Sequence, residues 1–234
     1  NTALKGDHYT NPMHISEEWD EWDGSVMSID PSGRGADETA YAVVKMKSGF
    51  LYLTAVGGIK NGYSQEALET LVNVAEAQNV NQIIVESNFG DGMFTQLLKP
   101  VLYKKYPVSI EEVRHSVQKE RRIIDTLEPV MNQHRLIVDD KLIIEDYRDT
   151  ELHHQLFYQL TRITSDRGSL AHDDRLDALA IAVNYWVETM DRDAQMALED
   201  HREEQLDKEL ELFMQSCNKI YGGVNSSSYN WNNR

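Results

Sequence analysis

The chain has 234 residues, and 41% of them are hydrophobic, which is enough apolar material for one sizeable core. Its formal net charge of −16 argues against a general nucleic-acid binder, because such proteins usually carry a broad basic surface. The single cysteine, Cys217, excludes a disulfide framework and a cysteine-only zinc cage. No run approaches the roughly 18 to 20 apolar residues of a membrane span. We expect a cytoplasmic globular protein without membrane contact and, since the first residue is Asn, a piece of a longer chain.

The first half of the chain predicts strands followed by a crossover. Residues 1–24 lack periodicity and are expected to form a leading arm or linker. The runs SVMSID, TAYAVVKM and GFLYLTAVGGI predict three strands, which the short connection between the last two makes an antiparallel meander. A helical repeat follows Ser64 as N-cap, and NQIIVES then has the continuous apolar run of a buried parallel strand.

The second half continues the alternation of helices and strands. We predict, in order, a helix at about 90–105, a strand near 109–114, a helix in KERRIIDTLEPVMNQHR, a short strand and helix in LIVDDKLIIEDY, a peripheral segment at 151–164, a loop, a last core helix and a charged helix at 188–214. This order is typical of an α/β fold with a mixed sheet flanked by helices. We expect a catalytic body at 25–190 and, at 191–234, an acidic helix with a flexible polar tail.

Charge is unevenly distributed along the chain. Nine acidic and three basic side chains lie between Asp191 and Glu211, and EEWDEWD adds five acidic side chains near the start. Within the body, Lys104 and Lys105 form one basic cluster and KERR at 119–122 forms another. The second cluster predicts phosphate contacts through Lys119, Arg121 and Arg122, although a solvated helix start would have the same composition.

Two predicted strands end in a carboxylate. Asp30 follows the first strand, in SIDPSGRG, and Glu86 ends the fourth, in IIVESNFGDG. Strand ends line the crevice of a helix-flanked sheet, where ligands bind. Taken singly, each acid is better explained without a function, Asp30 by turn chemistry and Glu86 as an exposed loop side chain.

Three aspartates, Asp173, Asp174 and Asp177, open the last core helix, in AHDDRLDALA. Spacings of three and four residues place them on one face. An N-cap and the helix dipole explain one or two of them. Asp177 stands a turn further in, where a carboxylate is costly unless it binds a metal or has a partner such as Arg175. If Asp173 is the N-cap, the carboxylates of Asp174 and Asp177 lie on one side of the helix and can both reach one metal pair.

Convergence of these acids would create an oxygen-only cluster, which suits Mg²⁺ or Mn²⁺ rather than zinc. Two such ions about 3.5 to 4 Å apart can hydrolyse a phosphodiester bond. Asp91 and His172 are auxiliary candidates, with a helix-entry turn and a capping loop as the alternatives. Asp173 is a third auxiliary candidate. The pair His153 and His154 is expected to be solvated.

Four motifs in order, DPSGRGADETAY, ESNFGDGMF, DTLEPV and AHDDRLDALA, resemble the C-terminal nuclease domain of the terminase large subunit of short-tailed phages. The resemblance covers residues 25–190 and implies a ribonuclease H-like fold. It also implies a metal-dependent endonuclease that cuts concatemeric double-stranded DNA during genome packaging with two Mg²⁺ or Mn²⁺ ions. Asp30 and Glu86 match the family's metal-binding acids, and the late-helix acid falls on Asp174 or Asp177.

The same resemblance implies partners that this sequence does not contain. No G-x-x-x-x-G-K-[ST] phosphate loop occurs, so the ATPase domain is expected on an N-terminal part of the full-length chain. The portal and the small terminase subunit are expected partners in the host cell cytoplasm. Two alternatives stay open, a structure-selective Holliday-junction-type resolvase of the same fold and a non-catalytic docking module.

Overall fold

The protein is described by a computed structural model over residues 21–32, 38–87, 92–148 and 151–221. The described residues do not include Asp91, positions 1–20 of the expected arm or positions 222–234 of the expected tail. The predictions made for these positions therefore lie outside the described residues. The chain divides into two compact units, Asn1–Val187 and Glu188–Arg234. None of the described helices combines the length and the apolar character that a bilayer crossing demands.

A six-stranded mixed sheet forms the centre of the first unit, as predicted. Its strands are β1 (Gly24–Asp30), β2 (Thr39–Lys47), β3 (Phe50–Ile59), β4 (Gln82–Glu86), β5 (Ser109–Val113) and β6 (Leu136–Val138), in the spatial order β5-β4-β1-β2-β3-β6. The first three strands form the antiparallel meander. The pairs β1–β4, β4–β5 and β3–β6 are parallel. The prediction of a meander joined to parallel strands is therefore confirmed.

In the described part of the chain, six α-helices accompany the sheet. They are α1 (Gln65–Ala77), α2 (Met93–Lys105), α3 (Lys119–Asn132), α4 (Asp140–Asp146), α5 (Leu156–Arg162) and α6 (Asp174–Tyr221), with a 3₁₀ turn at Leu152–His154. The predicted cap of α1 is confirmed, since Ser64 Oγ accepts a hydrogen bond from the Ala67 N–H at 3.2 Å. The last core helix and the charged helix, predicted separately, are one continuous helix.

Both faces of the central strand β1 are covered, since its five middle residues are all buried. Met27 and Ile29 point to one face, where they join the core residues of α1 and α2. Ser28 alternates to the other face. There its hydroxyl donates a hydrogen bond to the carbonyl of Ala178 in α6. Trp186 Nε1 of the same helix donates to the Val44 carbonyl at 3.0 Å. These bonds fix the start of α6 against the sheet.

A buried ionic network joins α6 to the chain before β2 and to α4. Arg175 donates to both carboxylate oxygens of Glu38, at 2.6 and 3.2 Å, and lies 3.4 Å from Asp146 Oδ1. All three side chains are at most 8% exposed. Asp146 also accepts the backbone N–H groups of Leu156 and Phe157. The network therefore holds the start of α5 and the start of α6 together.

Replacing Arg175 with Met should strongly destabilise the protein, because it leaves two buried carboxylates without their cation. The expected loss is about 3–5 kcal/mol in the free energy of unfolding, measured by urea denaturation. Lys105→Met is the matched control, since Lys105 pairs with Glu76 at 2.9 Å while both side chains are about half exposed. That variant should lose less than about 1 kcal/mol. Equal losses in the two variants would contradict the assigned role of the network.

Candidate active site

Two acids stand side by side where β1 and β4 end. The two strands run parallel, with Ile29 paired to Val85 at the last position of the register. The next residue is Asp30 on β1 and Glu86 on β4, so both carboxylates emerge at the same edge of the sheet. Their side chains are 13% and 6% exposed. The parallel pairing, which the sequence indicated, brings the two predicted acids together.

The first turn of α6 supplies the third carboxylate, from Asp177. Its side chain is fully buried, at 0% exposure. One carboxylate oxygen from each of Asp30, Glu86 and Asp177 lies within 4.8 Å of the others. We call these three residues the acidic triad. The triad unites positions that are far apart in the sequence and have different secondary structures.

Two cations from α3 reach into the triad. Lys119 Nζ lies 3.3 Å from Asp30 Oδ2, 3.0 Å from Asp177 Oδ2 and 2.9 Å from Asp173 Oδ1. Arg122 Nη2 lies 2.8 Å from Asp177 Oδ1 and 3.2 Å from Glu86 Oε1. Two positive charges therefore face four carboxylates, and the cluster keeps an excess of negative charge.

The three triad carboxyls differ in acidity. Burial raises the pKa of Asp30 well above its ordinary value and raises that of Asp177, although Lys119 opposes both shifts. Burial also acts to raise the pKa of Glu86, but a hydrogen bond from His115 and the charge of Arg122 outweigh it and leave that pKa lowered. The bond joins His115 Nδ1–H to Glu86 Oε1 at 3.0 Å. Burial alone would lower the pKa of Lys119, but Asp177, Asp30 and Asp173 raise it, so this side chain stays charged.

Sequence reasoning missed the cations that accompany Asp177. It offered Arg175 as the partner, whereas Arg175 binds Glu38 and the neighbours of Asp177 are Lys119 and Arg122. The sequence did contain a signal, because Lys119 and Arg122 are three residues apart in α3 and such positions lie on one face of a helix. Asp173 was expected to spend its carboxylate on the helix N-terminus. Asp173 directly precedes α6, where its carbonyl accepts the Asp177 N–H at 2.8 Å, and its Oδ1 lies 2.9 Å from Lys119 Nζ.

A second group of donors adjoins the triad. Asp174 Oδ2 lies 4.0 Å from His172 Nδ1, and the His172 ring stacks on that of His154 with centroids 4.3 Å apart. The prediction that His154 is solvated is wrong, because this residue is 7% exposed. Of the late-helix acids, Asp177 therefore belongs to the triad, while Asp174 groups with the two histidines.

The predicted phosphate ligands divide into two kinds. Arg121 is exposed on α3, whereas Lys119 and Arg122 contact the carboxylates described above. Contact of these three residues with DNA stays a prediction.

The donor chemistry of the triad fits a hard divalent cation. Its donors are carboxylate oxygens, which Mg²⁺ and Mn²⁺ prefer. Burial is the main cause of the raised pKa values of Asp30 and Asp177, and neighbouring acids that Lys119 and Arg122 only partly neutralise add to both shifts. A divalent ion would complete this neutralisation.

Known proteins are similar to this chain in sequence and in fold. Residues 29–136 match the family described as terminase of bacteriophage T7, ribonuclease H-like domain. The terminase large subunit of Enterobacteria phage T3 is 45% identical over 201 residues, which cover 83% of this chain and 34% of that protein. Over the matched residues, the chain is similar to a terminase ribonuclease H-like domain. The aligned part of this chain spans 34% of the length of the phage T3 protein.

Solved terminase nuclease domains share the fold. The human cytomegalovirus domain, Mn-soaked and inhibitor-bound, has a TM-score of 0.53 at 12% identity and covers 70% of this chain and 82% of its own. The nuclease domain of the large terminase subunit gp2 of bacterial virus Sf6 has a TM-score of 0.52 at 13% identity, covering 70% and 90%. At such identities the likeness establishes the fold of this domain alone.

Neutralising Asp30 and Glu86 should shift the stability of the metal-free domain in opposite directions. Folding raises the pKa of Asp30, so this group costs stability as the pH rises above about 4. Folding lowers the pKa of Glu86, so this group adds stability above about 4 and loses it in acid. In EDTA at pH 7, we expect Asp30→Asn to raise the melting temperature and Glu86→Gln to lower it.

The difference for Asp30→Asn should shrink as the pH falls to about 4, because the raised pKa lets the native Asp30 protonate early. The difference for Glu86→Gln should shrink only below about pH 4, where the native Glu86 protonates. Melting curves across this range provide the measurement. A melting temperature for Asp30→Asn below that of the wild type at pH 7 would show that the pair with Lys119 outweighs the burial of Asp30.

Proposed function

We propose that this domain is a metal-dependent endonuclease that cleaves concatemeric double-stranded DNA during phage genome packaging. The observation that carries the proposal is the acidic triad, in which three carboxylates from β1, β4 and α6 meet at one edge of the sheet. Similarity to the terminase family and the shared nuclease fold support it. Metal dependence follows from the all-oxygen donor set.

Asp30, Glu86 and Asp177 would hold two Mg²⁺ or Mn²⁺ ions, with Asp174 beside them on the same helix. Such ions activate water for in-line attack on phosphorus and stabilise the leaving oxygen. The carboxylates orient the ions, while His115 fixes the orientation of Glu86 through its hydrogen bond.

The cations of α3 have a second role in this proposal. Ions bound to the triad would neutralise the carboxylates that now face Lys119 and Arg122. Both cations would then be available to the phosphate backbone, next to the exposed Arg121. The net charge of −16 opposes a polyanion, so the domain alone binds DNA weakly and with strong salt dependence.

The whole protein would contribute what the domain lacks. Since the phage T3 large subunit extends well beyond the aligned region, we propose that an N-terminal ATPase domain precedes this one in the full-length chain. The assembly would meet the portal and the small terminase subunit in the host cell cytoplasm. Asp91 and His172 remain proposed auxiliaries of the reaction.

Cleavage of linear plasmid DNA tests the function. Asp30→Asn and Glu86→Gln should each reduce cleavage to the level seen with EDTA, because either change removes a ligand charge while keeping the shape of the side chain. Glu128→Gln is the matched control, since Glu128 is an exposed acid on α3, and it should cleave like the wild type. Mg²⁺ or Mn²⁺ should restore the wild type after EDTA treatment.

Near wild-type cleavage by either triad variant under saturating Mg²⁺ would refute the assignment. A four-way junction supplied beside linear DNA separates the two enzyme classes that share this fold. Preferential cutting of the junction would favour a resolvase. An absence of cutting on both substrates with either ion would leave only a docking function.

The three late-helix aspartates should differ in their effect on cleavage. Asp177→Asn should be the most severe, because Asp177 completes the triad. Asp174→Asn should impair the rate less, since its carboxylate lies beside the histidines. Asp173→Asn should have the smallest effect, because Asn retains a polar contact with Lys119. Initial rates at saturating Mg²⁺ give the order, and an inactive Asp173→Asn with an active Asp177→Asn would reverse the assignment.

A further inference from the structure

A buried imidazole, His154, stacks on a partly exposed one, His172, beside the triad, and the nuclease proposal gives the pair no ligand. His154 belongs to the 3₁₀ turn before α5, and His172 belongs to the loop before α6. Their rings are 4.3 Å apart and tilted by 30°. His154 is 7% exposed, and its buried Nδ1 makes no hydrogen bond. This nitrogen would gain a partner if the ring moved toward Glu38, 3.7 Å away, when its other nitrogen bound a ligand.

Asp174 adds a carboxylate to the two rings. One ring nitrogen from each histidine and one oxygen of Asp174 all lie within 4.8 Å of one another. Zinc–ligand bonds are about 2.0–2.1 Å long, so two ligands of a tetrahedral ion are about 3.4 Å apart. The observed span of up to 4.8 Å therefore needs a closure of up to about 1.4 Å to enclose an ion.

The surroundings of His154 match those of a metal-bound histidine. Glu38 Oε1 lies 3.7 Å from His154 Nδ1. Arg175 holds this carboxylate in place through both of its oxygens. Metal-ligating histidines characteristically pair their second ring nitrogen with such a carboxylate, which sets the orientation of the ring.

We propose that His154, His172 and Asp174 form a second cation site, which takes a divalent transition metal such as Zn²⁺. Two imidazoles and one carboxylate favour Zn²⁺ and its neighbours over Mg²⁺, whereas the acidic triad offers oxygen alone. The two sites therefore differ in the ions they select. The second site takes its donors from His154, His172 and Asp174, and Zn²⁺ binding to it can be measured without DNA cleavage.

Calorimetric titration of the whole chain with Zn²⁺, in the presence of saturating Mg²⁺ to occupy the triad, tests the proposal. We expect one Zn²⁺ per chain, with binding weakened more than about tenfold in His172→Gln. His153→Gln is the matched control, because His153 is the exposed neighbour of His154 and contacts Tyr158. It should bind Zn²⁺ like the wild type. Thermal unfolding in EDTA verifies that His172→Gln folds.

Imidazole ¹⁵N NMR of the wild-type chain gives a second readout that needs no substitution. Zn²⁺ should shift the ring nitrogens of His154 and His172 and leave those of His153 unchanged. The proposal fails if no Zn²⁺ binds, if His172→Gln binds it as tightly as the wild type, or if the rings of His154 and His172 do not respond. Each of these results is independent of the cleavage assays on Asp30 and Glu86.

Discussion

The ion pairs of Lys119 and Arg122 with the acidic triad are the interaction on which the rest of the site depends. Three carboxylates with little exposure would repel one another strongly if they were left alone. Two cations on one face of α3 offset this repulsion without completing the charge balance. The protein can therefore assemble its ligands before any ion binds, and it keeps a net negative charge to attract one.

The arrangement assigns different tasks to the sheet and to the helices. The parallel strands β1 and β4 fix two acids through backbone hydrogen bonds, and α6 brings its carboxylates to them from the opposite face. The Arg175 network anchors the start of this helix, where Asp173, Asp174 and Asp177 lie within a single turn. Three neighbouring acids thereby reach three different surroundings, which are Lys119, the histidine pair and the triad.

The sequence was sufficient to predict the mixed sheet and the acids at its edge. Asp30 and Glu86 could be found because each is the last residue of a short run that predicts a strand. The partners of Asp177 could not be found in this way, because contacts between α3 and α6 depend on how two helices pack over the sheet. His154 was misjudged for a related reason. Adjacent histidines in a polar stretch look solvated, and only the fold shows that one of them turns inward.

The parallel register of β1 and β4 has a consequence for how such a site can change. Neighbouring strands are about 4.8 Å apart, a distance that peptide hydrogen bonds impose and that side chains cannot adjust. Single substitutions can therefore alter which atoms bind an ion at these two positions, but they leave the distance between the two anchor points intact. A different spacing would require the strands to slip, and a slip of one residue would move every side chain of a strand to the opposite face of the sheet, where it would no longer fit the packing. Backbone geometry thus protects the span between these ligands from gradual drift.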